Sequence, residues 1–452
     1  MSDVPAPAPD PAAILRSRNF VVLLVFAAIV GVIVSFVGWG FLELVHQLQM
    51  LVFEDLPGDL GFSSTPWWWY LPVLGLAGLP VAFAIARLPG NGGHVPANGL
   101  QMGRTEPSMV PGIALAAFAT LGLGLVLGPE APLIAIGAGV AVFSVKLARR
   151  DAPPQLLVVL GAAGSFAAIA VIFGSPVVGA VLIIEATGLG GATLTLILIP
   201  GLIAAGIGSL VFLGMANWTG LNTSAYSLVP LHLNSFTHVT WEEIGWTIVL
   251  GIAGALLTQV VRRIGLGGAR VVPRNPFVLI PAAGLVVAAL AILFEQTTTH
   301  GAGQVLFSGQ EALPGLVSSA STWSLGALAM VMLCKGVAWG VSLSSFRGGP
   351  TFPAIYLGAA GGIAASHLPG LPQTAGIAVG MGVMVVAFLK LPLSSIVIAS
   401  ALTHAAGPAL GPLIIVGVVV SYLATLGLEG RLGAGEATAA ESTGAPPSPG
   451  GS

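Results

Sequence analysis

The amino-acid sequence predicts an all-α polytopic membrane protein with two inverted-topology repeats and broken, re-entrant helices. Three observations predict this fold class: the composition, a duplicated Gly-Pro motif, and opposite charge patterns around the first helix of each half. Of the 452 residues, 55% are hydrophobic and 7% are charged, whereas a soluble domain carries about 25% charged residues. The composition therefore excludes an ordinary water-soluble domain and supplies enough apolar sequence for many membrane crossings.

The duplicated motif follows the spacing G-P-x-x-P-x-I-x-x-G-A. Residues 128–138 read GPEAPLIAIGA and residues 349–359 read GPTFPAIYLGA, so Thr351 stands where the first copy has Glu130. A single Gly-Pro motif in an apolar segment usually indicates a kink or a tight helix contact. Two copies at matched positions instead indicate two related halves with interrupted helices, a pattern typical of transporters.

The charges around the first long apolar segment of each half have opposite polarity. In the first half, basic residues precede the segment and acidic residues follow it; these are Arg16, Arg18, Glu54 and Asp55. In the second half, acidic residues come first and basic residues follow; these are Glu242, Glu243, Arg262, Arg263, Arg270 and Arg274. Because basic loops stay in the cytoplasm, this pattern predicts inverted insertion of the halves and cytoplasmic termini, in the plasma (inner) membrane.

The same reading divides the chain into five parts. Two Pro/Ala- or Gly-rich ends lack foldable apolar sequence and are predicted to be disordered tails, with no soluble regulatory domain. The predicted parts are a cytoplasmic tail (1–19), a first membrane repeat (20–216), an inter-repeat connection (217–240), a second membrane repeat (241–428) and a second tail (429–452).

Glu130 is the candidate gate of an anion pathway. Gly-Pro before an apolar run signals a helix start, so helices are expected to begin near Pro129 and Pro350. Helix N-termini present unpaired N–H donors and about half a positive charge, which suits a small anion. A carboxylate in the first turn would compete with such an anion for the donors. The alternative, a capping carboxylate with no transport role, remains open at this point.

Other candidates are weaker. Glu185 is a second intramembrane acid, for which structural pairing and transport are equally consistent with the sequence. The histidines show no metal-ligand spacing, so no metal site is expected. No nucleophile–base pair, cofactor motif or basic stripe indicates an enzyme, a cofactor or a nucleic-acid partner. Three residues receive no functional site: Cys334, Lys335 and Lys390.

These motifs resemble those of the CLC chloride channels and anion/proton antiporters, over roughly residues 20–428. Residues 128–132 look like the family's G-[K/R]-E-G-P segment, whose glutamate is the external gate, and residues 348–353 resemble its G-G-x-F-x-P segment. Residues 90–93 are similar to its G-S-G-I-P loop. The resemblance implies a homodimer in the lipid bilayer, one anion pathway per subunit, and anion-binding positions at Gly90, Asn91, Gly92, Gly128, Ala131, Gly349, Thr351 and Phe352.

The sequence also departs from the family pattern. Pro129 replaces a basic residue, and His94 replaces the proline of the loop segment. Pro350 lacks an N–H group that the family uses as an anion donor. Antiporters carry an inner proton-relay glutamate at the position of Ala186, and alanine cannot carry a proton. The tyrosine of the last membrane helix has no secure match, since the spacing of Tyr422 differs.

Ala186 therefore leads us to expect a passive gated chloride channel with Glu130 as its gate. The first alternative is a proton-coupled antiporter for chloride or another monovalent anion, with protons as a second substrate. The second alternative is a membrane protein with no transport role.

Overall fold

The computed structural model describes residues 15–188, 190–221 and 227–443. The described part of the first half contains seven main helices, which follow one another through short loops and turns. They are α1 (Arg18–Met50), α2 (Tyr70–Arg87), α3 (Val110–Gly122), α4 (Glu130–Ala148), α5 (Pro154–Phe173), α6 (Pro176–Thr187) and α7 (Gly191–Thr219). The helix α1 continues through a π-helical turn to Asp59.

The second half repeats this order of helices with one short helix added. Its described helices are α8 (Trp241–Val271), α9 (Pro276–Thr297), α10 (Ala312–Ser318), α11 (Leu325–Ser345), α12 (Thr351–Ser366), α13 (Gln373–Leu389), α14 (Pro392–Thr403) and α15 (Leu410–Thr443). Apart from α10, each has a counterpart at the same place in the first half. The all-α polytopic fold class is therefore confirmed, whereas the inversion of the two halves stays a prediction.

Several of these helices are too short to cross a bilayer alone. Within the described ranges, nine helices are long and apolar enough to span a membrane, and four shorter apolar helices accompany them. Two of the short ones, α6 and α14, occupy matched positions in the two halves. Helices of this length do not cross a bilayer alone, and α6 and α14 instead pack on each other between the two halves.

The two halves pack together through matched helices. The helix α2 packs on α9, and α6 packs on α14. Glycines allow the first pair to approach closely, because a Cβ on Gly78 would overlap the backbone of Pro281, and a Cβ on Gly284 would overlap the carbonyl group of Leu74. Small residues at such crossings let helix backbones meet in a membrane.

The repeated motif also ends on a helix crossing in each half. Gly137 of α4 lies against Gly164 of α5, and Gly358 of α12 lies against Gly380 of α13. In both pairs a Cβ would collide with the facing backbone carbonyl group. The tenth position of the motif is therefore glycine for a packing reason that both copies share.

The predicted domain boundaries differ from the helix ends by a few residues. The first helix begins at Arg18 instead of residue 20, and α15 continues to Thr443 instead of ending at residue 428. Within the predicted connection, Leu228 and Leu231 donate their N–H groups to carbonyl groups of α5 and α14. Residues 1–14, 222–226 and 444–452 of the predicted tails and connection lie outside the described residues.

Candidate functional site

The two copies of the motif meet at their glycines. The N–H group of Gly128 donates to the carbonyl oxygen of Gly349 at 2.7 Å, and the N–H group of Gly349 donates back to Gly128 at 2.6 Å. This reciprocal pair forms an isolated antiparallel bridge, here called the glycine bridge. The bridge brings together residues that lie more than two hundred positions apart, so it joins the two copies of the motif.

The helices α4 and α12 begin directly after the glycine bridge. Pro129 and Pro350 are their N-caps, and the first helical residues are Glu130 and Thr351. The predicted helix starts are therefore confirmed. An α-helix leaves its first N–H groups without intrahelical acceptors, so the first turns of both helices present free donors to the same small region.

Glu130 uses one of those donors. Its side chain is completely buried, at 0% exposure, and its Oε1 atom accepts a hydrogen bond from the N–H group of Thr351 at 2.5 Å. Its Oε2 atom is buried and has no hydrogen-bond partner. The carboxylate of one half thus occupies the N-terminus of the helix that the other half supplies.

No cation balances this carboxylate among the described residues, because both ion pairs that they form involve Glu429. The helix dipole and the Thr351 donor are the positive features that Glu130 contacts. A buried charge without a partner costs several kcal/mol. A mobile anion could occupy the same donors if the carboxylate moved away or were protonated.

Aromatic side chains close one side of the glycine bridge. Phe352 is buried and stacks on Phe173, with ring centroids 5.7 Å apart and planes 14° from parallel. A Cβ on Gly128 would overlap both Phe352 and the Glu130 carboxylate. The bridge therefore requires glycine here, and the space around the carboxylate is fully filled.

Two cavities touch residues next to Glu130 in the chain. The first has a volume of about 250 Å³ and touches Leu127 and Pro129, just before the gate candidate. The second has a volume of about 340 Å³ and touches Ala131 and Pro132, just after it. Glu130 lines neither cavity and is buried between the residues that do.

The loop between α2 and α3 lines the second cavity. Gly90, Asn91, Gly92 and Gly93 all have positive φ angles, between 49° and 102°. Backbone with positive φ angles strongly favours glycine, and asparagine is one of the few other residues that adopts such angles. The predicted anion-binding positions thus fall in two places: Gly90, Asn91, Gly92 and Ala131 line the second cavity, and Gly128, Gly349, Thr351 and Phe352 surround the bridge.

Glu185 has a structural partner in the other half. Its carboxylate accepts hydrogen bonds from the N–H groups of Leu393 and Ser394, at 2.9 and 2.6 Å, and from the Ser394 hydroxyl at 2.7 Å. It therefore caps the N-terminus of α14, which is the structural alternative that the sequence left open. Ala186 follows it on α6 without an ionisable group.

Two buried cations were missed as structural or functional residues. Lys335 donates hydrogen bonds to four successive carbonyl oxygens, those of Gln304 through Phe307, at 3.0 to 3.2 Å. Arg347 lies two residues before Gly349, is only 6% exposed and lines the second cavity. A basic residue directly before a Gly-Gly-Pro motif was the sequence signal for Arg347.

The remaining candidates lie in ordinary packing environments. His300 stacks on Trp323 with centroids 3.6 Å apart, and no group of three potential metal ligands occurs among the described residues. Tyr422 packs against a separate hydrophobic cluster of the second half. Tyr356, inside the second motif, is buried and donates its hydroxyl proton to Gln304 at 2.6 Å.

A family model described as "Voltage gated chloride channel" matches residues 97–426. The chain belongs to this family, the CLC family. The match excludes the loop of residues 90–94, so the likeness of that loop to the family segment stays a resemblance. Membership agrees with the multi-pass helical fold and with anion transport as the general activity of the family.

Curated relatives and solved structures extend the comparison. YfeO of Escherichia fergusonii and of Escherichia coli O139:H28, named as ion-transport proteins, are both 28% identical over 79% of this chain and 82% of their own length. A slow cyanobacterial Cl⁻/H⁺ antiporter is 19% identical with a TM-score of 0.71, covering 90% of this chain and 94% of its own. A CLC-type fluoride/proton antiporter is 17% identical with a TM-score of 0.64, covering 89% and 95%.

Proposed function

We propose that this chain transports small monovalent anions across a membrane and that Glu130 is the gate. One observation carries the proposal: the buried Glu130 carboxylate occupies the free N–H donor of Thr351 at the start of α12. A helix start of this kind is an anion site, so a mobile anion and the carboxylate compete for it. The approaches in this proposal are the two cavities that touch the residues before and after Glu130 in the chain.

We further propose proton-coupled exchange as the mode of transport, in place of the passive gated channel expected from the sequence. Two structurally similar proteins are described as a Cl⁻/H⁺ antiporter and a fluoride/proton antiporter, which favours the alternative over the first expectation. A titratable gate is also suited to exchange, because the same carboxylate could carry a proton and release an anion.

A passive chloride channel remains the second candidate because of two neighbouring residues. Ala186 offers no proton-accepting group, and the carboxylate of Glu185 beside it already caps α14 with three hydrogen bonds. Under exchange, protons must therefore reach Glu130 by a route that does not use the Ala186 position.

Flux measurements in liposomes test both parts of the proposal. Purified protein is reconstituted, a chloride gradient is imposed, and anion and proton movements are recorded together. We expect anion efflux to drive protons in the opposite direction. Glu130→Gln, which removes the competing charge, should keep anion flux high, abolish proton movement and remove the dependence of flux on external pH.

The exposed acid Glu54 provides the matched control, since Glu54→Gln removes one carboxylate that lies outside both cavities and should leave both fluxes unchanged. Anion flux without proton movement in the unmodified protein would establish the channel instead. Retention of full pH dependence in Glu130→Gln would exclude Glu130 as the gate.

We also propose a membrane location and an oligomeric state for this protein. The basic residues at the start of α1 and at the C-terminal end of α8 support an inner-membrane location with both termini in the cytoplasm. We also propose a homodimer with one pathway in each subunit, by analogy with the family. Mass determination of the detergent-solubilised protein by light scattering tests the dimer, because a monomeric mass would exclude it.

A further inference from the structure

A cavity of about 460 Å³ lies at the C-terminal end of α4. It is lined by the last two turns of α4 and by residues 106–108, which lead into α3. The apolar helix α4 ends at Ala148, and residues 149–151 are all charged. Such a change from apolar to charged sequence marks the membrane surface. The cavity therefore lies where the chain leaves the hydrocarbon layer, and we call it the interfacial cavity.

Apolar and basic side chains line the interfacial cavity along one face of α4. Residues three and four apart are neighbours on a helix surface, so Phe143, Lys146, Leu147 and Arg150 form one stripe, and all four line the cavity. Phe143 and Leu147 are exposed, at 56% and 76%. In a membrane protein such exposed apolar side chains contact lipid chains, and the two cations beside them lie at headgroup depth.

The two cations have no counter-charge within the described part of the chain. Lys146 and Arg150 are exposed, and both ion pairs among the described residues are formed elsewhere by Glu429. Glu106 is the one acid that lines the interfacial cavity, and it is exposed as well. The lining thus carries two positive charges and one negative charge, so it has a net charge of +1 that a single anion would neutralise.

We propose that the interfacial cavity binds the phosphate group of an anionic phospholipid, with Lys146 and Arg150 as its ligands. The ammonium and guanidinium groups donate hydrogen bonds to the phosphate oxygens. One acyl chain of the same lipid packs along Phe143 and Leu147. Basic pockets on the cytoplasmic side of membrane proteins bind lipid headgroups in this way, and the basic residues that end α4 favour that side.

The apolar part of the stripe favours a lipid over a free phosphate ion. Phe143 and Leu147 would contribute nothing to the binding of an inorganic anion, whereas they bury apolar surface against an acyl chain. The charge of the lining favours phosphatidylglycerol over phosphatidylcholine, because the choline cation cancels the charge of its own phosphate group. This lipid site is separate from the proposed transport pathway and does not depend on the role of Glu130.

Native mass spectrometry of the purified full-length protein tests this site. The protein in detergent is mixed with equal amounts of phosphatidylglycerol and phosphatidylcholine that carry the same acyl chains, and bound lipids are identified by their mass. We expect phosphatidylglycerol to predominate in the first bound lipid. The double variant Lys146→Gln with Arg150→Gln should bind phosphatidylglycerol about 25-fold more weakly, since each basic residue near an anionic lipid contributes about fivefold.

Glu106→Gln should have the opposite effect, because it removes the one negative charge of the lining. We expect it to strengthen phosphatidylglycerol binding by up to about fivefold. Should the neutral double variant fail to fold, unchanged binding in Glu106→Gln refutes the site.

Arg263→Gln with Arg270→Gln is the matched control, because these exposed cations belong to another membrane helix, α8, and do not line the cavity. This variant should bind phosphatidylglycerol as the unmodified protein does. An equal loss in both double variants would show that positive charge in general attracts the lipid, and would overturn the proposal. Unchanged binding in the variant of Lys146 and Arg150 would overturn it too.

Glycerol phosphate distinguishes a lipid from a soluble phosphate compound, because it carries the phosphate group without acyl chains. Added at the concentration of the lipid, it should leave phosphatidylglycerol bound. Displacement at equal concentration would assign the cavity to a soluble phosphate compound instead. Leu147→Ser should weaken phosphatidylglycerol binding through the lost contact with the acyl chain, and full binding in this variant would contradict the position proposed for that chain.

Discussion

Glu130 and Arg347 are buried opposite charges that do not pair with each other. Glu130 lies two residues after Gly128, and Arg347 lies two residues before Gly349. In an antiparallel pair these are matching offsets, yet the carboxylate contacts Thr351 whereas the guanidinium group contacts the loop carbonyl group of Asn91. Their separation leaves both charges without a counter-charge among the described residues, since the ion pairs there all involve Glu429.

At the scale of helices, the repeated Gly-Pro motif determines both where a helix starts and where that helix crosses the next one. Its first residues start a helix directly after the glycine bridge, and its tenth residue, Gly137 or Gly358, allows that helix to cross its successor. The crossing fixes the axis of the helix and hence the direction of its first N–H groups. Packing nine residues away from the glycine bridge therefore sets the direction of the N–H groups at the start of each helix.

Gly358→Ala should destabilise the protein by this mechanism. A Cβ at this position collides with the backbone of Gly380, and overpacking of this kind costs about 1–3 kcal/mol. We expect a lower melting temperature, followed by tryptophan fluorescence. Gly361→Ala is the control on the same helix, because its Cβ meets only the Met332 side chain at 3.5 Å. An equal effect of both substitutions would contradict the crossing argument.

The capping of α14 by Glu185 is a second link between elements of different halves. The carboxylate comes from α6 and the N–H groups come from α14, two short helices that pack on each other. An acid in the first turn of a helix is stabilised by the helix dipole. The same physical device thus appears twice in the molecule, at Thr351 with Glu130 and at Ser394 with Glu185.

At the scale of the molecule, the features that can be predicted from the sequence are those determined by neighbouring residues and by composition. Gly-Pro punctuation located the starts of α4 and α12 to within a residue, and apolar composition identified the fold class. Glu130 could be singled out because an intramembrane acid is rare. The role of Glu185 was left open, since its partners on α14 lie about two hundred residues away.

Arg347 and Lys335 show why the contacts of the buried cations cannot be predicted from the sequence. Arg347 donates a hydrogen bond to a loop 256 residues earlier in the chain, and Lys335 donates to four carbonyl groups about thirty residues earlier. No periodicity or motif encodes such contacts, because they depend on how the helices pack. Pro129 stands where the family has a basic residue, so this charge is absent from the first motif. Arg347 places a cation two residues before Gly349, and only the packing of the helices shows that it is buried there.

The inverted insertion of the two halves can be tested with single cysteines, because Cys334 is the one native cysteine. In a Cys334→Ser background, Leu60→Cys and Asn275→Cys place exposed thiols after α1 and after α8, respectively. The charge pattern predicts that a membrane-impermeant maleimide labels Leu60→Cys in intact cells. Asn275→Cys should react only after permeabilisation.

Labelling of both cysteines from the outside would show that the two halves insert in the same orientation. Arg87→Cys supplies a reference for the cytoplasmic side, because it lies at the end of α2, one crossing after Leu60. If Arg87→Cys reacts in intact cells, the whole assigned orientation is reversed, while opposite reactivity of Leu60→Cys and Asn275→Cys would still establish inversion.

The hydrogen bond between Thr351 and Glu130 limits the order in which the protein can fold during its synthesis. Its partners are separated by 221 residues, and ribosomes add about 5–20 residues per second. Glu130 is therefore synthesised about 10–45 seconds before Thr351 can donate its N–H group to it. The contact between the two halves, and with it the proposed anion site, can form only after the second half has been made.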